Sequence, residues 1–211
     1  MESGIGKYIA EHSTGERPFL DSLHRAANIH MLHGRMSCGH EEGSLLRMIM
    51  RMIKPMNVLE IGTFCGYSAI CMAEGIPEGG KVWTFEVNDE QEPFTRPWIE
   101  RSGVAHKIEF IIGDGVELAA GLGVEFDAAF IDGDKRTYAE AYRTAMGVVK
   151  KGGFIIADNT LWDGHVADPE YDYDPQTKGI RDFNDIVAAD ERVEQLMLPL
   201  RDGLTIIYKK T

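Results

Sequence analysis

The sequence has few cysteines, no excess of basic side chains and no long apolar run. Of its 211 residues only three are cysteines, Cys38, Cys65 and Cys71, and none lies in a CxxC pair. Such a set cannot pair completely, so reduced thiols in a cytoplasmic protein are the simplest interpretation. The 22 basic and 34 acidic side chains give a net charge of −12, which disfavours attraction to nucleic acid or to an anionic membrane surface.

The absence of long apolar runs argues against membrane insertion. No run approaches the roughly 20 residues that cross a bilayer, so we expect no transmembrane helix. Polar and charged side chains interrupt the start of the chain, so we expect no signal peptide there; they include Glu2, Lys7, Glu11 and His12. Internal repeats and low-complexity tracts are also absent from the sequence.

The residues that are present suit an ordinary globular protein, with 44% hydrophobic and 27% charged side chains. The length fits a single domain over residues 1–211, with a helical N-terminal segment at 1–56 and an α/β core at 57–211. Apolar side chains in the N-terminal segment recur at helical spacing, as in Leu45, Leu46, Ile49, Met52 and Ile53.

From residue 57 onward, β-rich apolar runs alternate with helical stretches. The runs cover 57–61, 81–87, 108–112, 126–131 and 154–157. This alternation predicts a doubly wound α/β fold with a mostly parallel sheet. Two further runs, 193–200 and 204–208, flank an Asp-Gly turn, which predicts a hairpin with one antiparallel strand. We expect Pro93 and Pro97 to interrupt the helix that follows the second run.

Oxygen-bearing side chains follow two of the predicted strands. Asp132 comes directly after one apolar run, and Asp158 and Asn159 come directly after another. The carboxyl ends of parallel strands share one edge of a sheet, which is where ligands bind. Hard oxygen ligands suit Mg²⁺, with Mn²⁺ or Ca²⁺ as alternatives, better than zinc. The competing interpretation is that these residues cap helices, a role that Asp and Asn often have.

A glycine turn after the first strand predicts a cofactor site. Gly62 and Gly66 would let the backbone approach a ligand at a helix N-terminus, although the third glycine of a dinucleotide motif is missing. Glu86 ends the second strand, where an acidic residue can bind ribose hydroxyls, and Asp114 ends the third. Glu60 lies inside a buried strand, so either a cationic ligand group or a core partner must compensate its charge.

These motifs together resemble the metal-dependent class I O-methyltransferases of the catechol and caffeoyl-CoA type, which use S-adenosylmethionine. The likeness spans about 36–209 and is carried by five segments in order: 58–68 (VLEIGTFCGYS), 131–135 (IDGDK), 157–162 (ADNTLW), 179–184 (GIRDFN) and 198–204 (LPLRDGL).

The resemblance implies roles for individual residues. The cofactor would contact Met36, Cys38, Glu60, Gly62, Thr63, Tyr67, Ser68, Glu86, Asp114, Gly115 and Asp132. The cation would bind Asp132, Asp158 and Asn159, and Asp134 and Trp162 would border the acceptor. Lys135 would be the general base that takes the proton of a phenol, whose ordinary pKa is near ~10. The expected acceptor is a small molecule with a vicinal aromatic diol, because two adjacent oxygens chelate one cation. The resemblance also suggests a homodimer.

Other functions fit parts of the pattern. A nicotinamide-dependent oxidoreductase could use a similar sheet, but the missing third glycine and the oxygen set disfavour it. A nucleic-acid methyltransferase is disfavoured by the net charge of −12. A cofactor-binding protein without turnover would keep the same fold.

Overall fold

The computed structural model describes residues 4–211, and its centre is one seven-stranded sheet with the order β3-β2-β1-β4-β5-β7-β6. The strands are β1 (Asn57–Ile61), β2 (Lys81–Glu86), β3 (Ile108–Ile112), β4 (Phe126–Ile131), β5 (Val149–Ala157), β6 (Val193–Leu198) and β7 (Leu204–Lys209). Strand β7 is antiparallel to both of its neighbours, while the pairings among β1–β5 are parallel. The predicted doubly wound sheet with a closing antiparallel hairpin is therefore confirmed.

Eight α-helices accompany the sheet within residues 4–211: α1 (Gly4–Glu11), α2 (Pro18–His30), α3 (Gly39–Ile53), α4 (Tyr67–Gly75), α5 (Glu92–Arg101), α6 (Gly115–Leu118), α7 (Tyr138–Val148) and α8 (Pro175–Ala189). Helices α1–α3 precede the first strand, as the sequence predicted. Helix α3 ends at Ile53 and is capped by Lys54, which is left-handed with φ 50° and is followed by Pro55.

The core has two layers because the central strands are buried on both faces. One layer packs α2, α3 and α4 against the sheet, with Leu23, Leu46 and Ile70 fully buried. The other packs α7 and α8 against the opposite face, with Tyr142 and Phe183 almost completely buried. Buried parallel strands read as continuous apolar runs, which is why most strand positions could be recognised.

Strand β5 begins earlier than predicted. The expected start was Phe154, whereas the strand begins at Val149, with a register shift opposite Phe126 and Ala128 of β4. Residues 150–153 (KKGG) form this irregular stretch, with Gly152 at φ 77°. They contain no apolar side chain, so the sequence did not indicate a strand there.

The prediction that proline interrupts the helix after β2 was wrong. Helix α5 runs through both prolines. Pro93 lies in the first turn, where the missing N–H has no intrahelical acceptor anyway. Pro97 loses one helical hydrogen bond, and the helix is nevertheless retained because Thr95 and Ile99 are buried against the core.

No helix among residues 4–211 is both long enough and apolar enough to cross a membrane.

Candidate functional site

The ends of β1, β4 and β5 meet where the strand order reverses. The amide of Asp132 donates to the carbonyl of Ile61 (2.9 Å), and the amide of Asp158 donates to that of Ile131 (3.0 Å). The two aspartates therefore follow neighbouring strands at the carboxyl edge of the sheet, beside the glycine turn after β1. This is the position where doubly wound sheets bind ligands.

Asp132 acts on the neighbouring carboxyl of Asp158. Asp158 is buried, and burial followed by repulsion from Asp132 raises the pKa of its carboxyl above the usual range. Its Oδ1 accepts a hydrogen bond from the amide of Asn159 (2.7 Å). In residues 4–211, no group of three or more acidic, histidine or cysteine side chains is placed to hold a metal ion. Carboxylates that lack a cation between them repel one another, which favours such an open arrangement.

Lys135 is the buried cation of this edge. Its Nζ donates to Oδ1 of Asp132 (2.7 Å) and to the hydroxyl of Tyr138 (2.8 Å). The Tyr138 hydroxyl donates in turn to the carbonyl of Asp158 (3.1 Å). The ring centre of Trp162 lies 5.9 Å from the same Nζ. The ammonium group is thus oriented from two sides, next to the carboxylate that ends β4.

The backbone after β5 is strained. Asn159, Trp162 and Asp163 are left-handed, with φ 54°, 48° and 51°. Asp202, from the turn between β6 and β7, accepts from the amide of Asp163 and from Nδ2 of Asn159 (3.5 Å). Non-glycine residues persist in this conformation only where neighbouring contacts hold them, and such strain clusters at functional sites.

Residues 162–172 form two short 3-10 turns that one side chain holds in place. Arg181 of α8 donates to the carbonyls of Val166 (3.0 Å), His165 (2.9 Å) and Asp168 (2.7 Å) and pairs with Asp172. This segment is therefore fastened to α8.

Glu42 and Arg201 join the site although the sequence analysis did not select them. Glu42 lies in the first turn of α3, and its Oε2 accepts from Nη1 of Arg201 (2.6 Å). Burial, followed by repulsion from Asp158 and then Asp132, raises the pKa of Glu42. One signal was available, because Glu42 shares the apolar face of its helix with Leu46 and Ile49, where a carboxylate is unexpected.

A cleft of about 210 Å³ lies between the loop before α3 and the glycine turn after β1. Seven of the predicted cofactor residues line it: Met36, Cys38, Gly62, Thr63, Tyr67, Ser68 and Asp132. Ser37, Phe64 and Cys65 also line it. Gly62 has φ 104°, and a Cβ there would lie 2.3 Å from the carbonyl oxygen of Asp132. Glycine is therefore required where the turn passes the end of β4.

Glu60 lies in β1 with no exposed surface. Neither carboxylate oxygen has a hydrogen-bond partner of good geometry among residues 4–211, although the hydroxyls of Ser68 and Thr84 are near enough to act on it. Burial raises the pKa of Glu60 to about 8, and the two hydroxyls oppose that shift. Among residues 4–211 the core therefore offers this carboxyl two hydroxyls but no cationic partner, which leaves a charge there uncompensated.

The remaining predicted cofactor residues lie further along the same edge of the sheet. The oxygens of Glu86 accept from the amides of Phe64 (2.8 Å) and Asn88 (3.0 Å). Asp114 caps α6 by accepting from the amide of Val116 (2.8 Å), and Gly115 is buried beside Phe85.

Two of the predicted site residues have side chains that bond to groups outside the cleft. Asp134 is exposed and pairs with Arg136, which holds the pKa of its carboxyl below the usual value. The hydroxyl of Tyr67 donates to Glu16, from the segment before α2, rather than to another cleft residue.

A wider depression of about 1020 Å³ lies elsewhere, beside the start of β5, and Lys150, Lys151 and Lys209 are among its lining residues. It contains none of the predicted site residues and lies at the opposite edge of the parallel strands. The carboxyl edge therefore carries the candidate site.

This sheet order, with the glycine turn after β1 and acidic residues at the strand ends, defines a class I methyltransferase fold. A family profile described as O-methyltransferase matches residues 10–210. Tricin synthase 1 of Oryza sativa subsp. japonica is 38% identical over 187 residues, covering 82% of this chain and 74% of its own. Caffeoyl-CoA O-methyltransferase 5 of Nicotiana tabacum is 37% identical, covering 83% of this chain and 78% of its own.

The solved structures agree. The O-methyltransferase TomG of Streptomyces achromogenes, determined in complex with SAM, superposes with a TM-score of 0.90 at 25% identity and covers 99% of this chain and 97% of its own. The chain belongs to the O-methyltransferase family.

Proposed function

We propose that the protein transfers a methyl group from S-adenosylmethionine to one hydroxyl of a vicinal aromatic diol, with a divalent cation as cofactor. The observation that carries this proposal is the pair of neighbouring strand ends, where buried Asp158 and Asp132 repel each other beside the cleft. One relative named above is a caffeoyl-CoA O-methyltransferase, and the O-methyltransferase TomG was determined with SAM, which supports transfer to oxygen and the donor.

The residues present fit a small hard cation. Asp132, Asp158 and Asn159 offer carboxylate and amide oxygens, which are the ligands that Mg²⁺, Mn²⁺ and Ca²⁺ prefer. The raised pKa of Asp158 reflects burial and a neighbouring negative charge, and a bound cation would relieve the second cause. We therefore propose these side chains as the cation ligands, with Mg²⁺ the first candidate.

The residues of the cleft also suit the chemistry of the cofactor. S-adenosylmethionine carries a sulfonium and an ammonium group, either of which would compensate the unpaired Glu60. Gly62 leaves room for the backbone to approach the ligand, and Glu86 and Asp114 are placed along the same edge for the ribose and the adenine. Met36, Cys38, Thr63, Tyr67, Ser68 and Gly115 complete the proposed cofactor set.

We assign Lys135 as the general base. When bound, the cation supplies Lewis-acid chemistry that favours the ionised form of the acceptor hydroxyl. Lys135 Nζ is oriented by Asp132 and Tyr138, and after giving up a proton it would take the one released by the acceptor. Trp162 lies beside Nζ and would form a wall of the acceptor pocket, with exposed Asp134 at its rim. Holding donor and acceptor in line can contribute about 7–11 kcal/mol.

A methyl-transfer assay tests this function. A panel of vicinal diols, matched monophenols and methylated diols is incubated with S-adenosylmethionine and Mg²⁺, and the products are identified by mass. We expect diols alone to react, activity to vanish with a chelator, and Mg²⁺ to restore it. Full activity in the presence of the chelator would contradict the cation-dependent reaction.

The buried position of Glu60 leads to a further prediction, which concerns the pH dependence of cofactor binding. Because its pKa is about 8 in the free protein, the carboxyl is mostly protonated at pH 7, and a cationic ligand would expel that proton. We expect S-adenosylmethionine to bind more tightly as pH rises towards 8 and to level off above it. Calorimetry at pH 7 in buffers of different ionisation enthalpy should detect about one released proton.

Glu60→Gln is the control, since glutamine keeps the volume but carries no titrating proton. The proton release should disappear in that variant. Equal release in the variant and the wild type would assign the proton to another group.

We also propose a single-domain homodimer. Exposed apolar side chains on α2, α3 and the loop between them support an interface, and they include Ile29, Leu32, Met48 and Met52. A cytoplasmic location stays a prediction.

A further inference from the structure

Glu42 is a buried carboxylate beside the proposed cation site that the mechanism above does not use. Its side chain is 2% exposed, and Oε2 is bonded to Arg201. Oε1 is buried and has no hydrogen-bond partner of ordinary geometry in the part of the chain that the structure describes. Burying a charged oxygen without a partner is costly, so Oε1 requires a compensating group nearby.

The groups around Glu42 are unevenly charged. Asp158 and Asp132 are the acidic neighbours that act on it. The cationic neighbours are already engaged, Arg201 with Glu42 and Lys135 with Asp132. Three carboxylates and two cations leave one net negative charge, which favours a bound cation at this point.

Arg201 restrains Glu42 from a turn at the same edge of the sheet. It lies in the turn between β6 and β7 with a left-handed φ of 48°, an unfavourable conformation for arginine. Its Nη2 also donates to the carbonyl of Ser37 (3.4 Å), in the loop that lines the cofactor cleft. The turn therefore fixes both the carboxylate and the loop before α3.

We infer that Glu42, supplied by α3 and held in place by Arg201, is a positioning residue that acts on the cation site through its neighbour Asp158. It strengthens and orients that site without touching the cation or the reacting methyl group. The inference rests on the proposed function and adds to it a residue from the helical N-terminal segment.

Titration calorimetry with Mn²⁺ on the full chain tests this role. We expect Glu42→Gln to bind Mn²⁺ roughly 10- to 100-fold more weakly than the wild type, the range typical of residues that support metal ligands. The matched control is Glu41→Gln, an exposed neighbour on the same helix, which should bind as the wild type does. S-adenosylmethionine affinity should be unchanged in both variants, which also verifies that they are folded.

A second variant keeps the test valid if glutamine packs poorly in the buried position of Glu42. Glu42→Met keeps a similar volume and leaves no charge to bury, and its Mn²⁺ affinity should fall in the same way. If either folded variant binds Mn²⁺ as tightly as the wild type, the role of Glu42 is refuted while the proposed function stands. If the wild type itself binds no Mn²⁺, the proposed function fails, and this inference fails with it.

Discussion

Replacing Lys135 with methionine is expected to lower the methyl-transfer rate roughly 10²- to 10⁴-fold, the usual contribution of a positioned general base. The side chain lies between Asp132 and the Tyr138 hydroxyl, and the variant loses the group that takes the acceptor proton. The measurement is kcat for a diol that the wild type methylates, at saturating S-adenosylmethionine and Mg²⁺.

Lys135→Arg distinguishes the base from a purely structural charge. Arginine can keep the ion pair with Asp132, but it stays protonated at neutral pH and cannot accept the proton. We expect it to be nearly as slow as the methionine variant. Lys178→Met removes an exposed lysine of α8 and should retain wild-type activity. Fast turnover by Lys135→Arg would remove Lys135 from the role of base.

Asp158→Asn is expected to abolish the response to added cation. The carboxylate is buried, so asparagine keeps the volume while removing the charge that attracts Mg²⁺. A loss of about 4 kcal/mol of transition-state stabilisation would lower kcat about 10³-fold. The measurement is kcat and the melting temperature, each determined without Mg²⁺ and with an excess of Mg²⁺ that saturates the wild type.

Asp182→Asn is the matched control, because that aspartate is exposed on α8 and pairs only with Lys178 among the ion pairs of residues 4–211. It should keep both the activity and the cation-induced rise in melting temperature. If Asp158→Asn keeps the same rise, the cation binds somewhere else.

The strand ends could be predicted from the sequence because each buried strand is a continuous apolar run that stops at a polar residue. The runs before Asp132 and Asp158 have this form, so their neighbouring positions followed from the rule for parallel strands. Strand β5 was placed too short because the residues at its irregular start are lysine and glycine. Local composition predicts regular strands better than irregular ones.

The outer part of the site could not be predicted in the same way. Glu42 and Arg201 are separated by 159 positions, and only the packing of α3 against the β6–β7 turn brings them together. Arg181 likewise holds residues 162–172 through backbone carbonyls, which leave no mark in composition. Pro97 lies within a helix because tertiary burial of its neighbours outweighs the lost hydrogen bond. Each case depends on contacts between distant segments.

The common basis of these proposals is that oxygens from two adjacent strand ends hold one cation next to the methyl donor. Anomalous diffraction from crystals soaked with Mn²⁺ and S-adenosylhomocysteine tests it most directly. We predict one strong manganese peak in contact with Asp132, Asp158 and Asn159, at the cofactor cleft. A peak elsewhere, or none at these side chains, would contradict it.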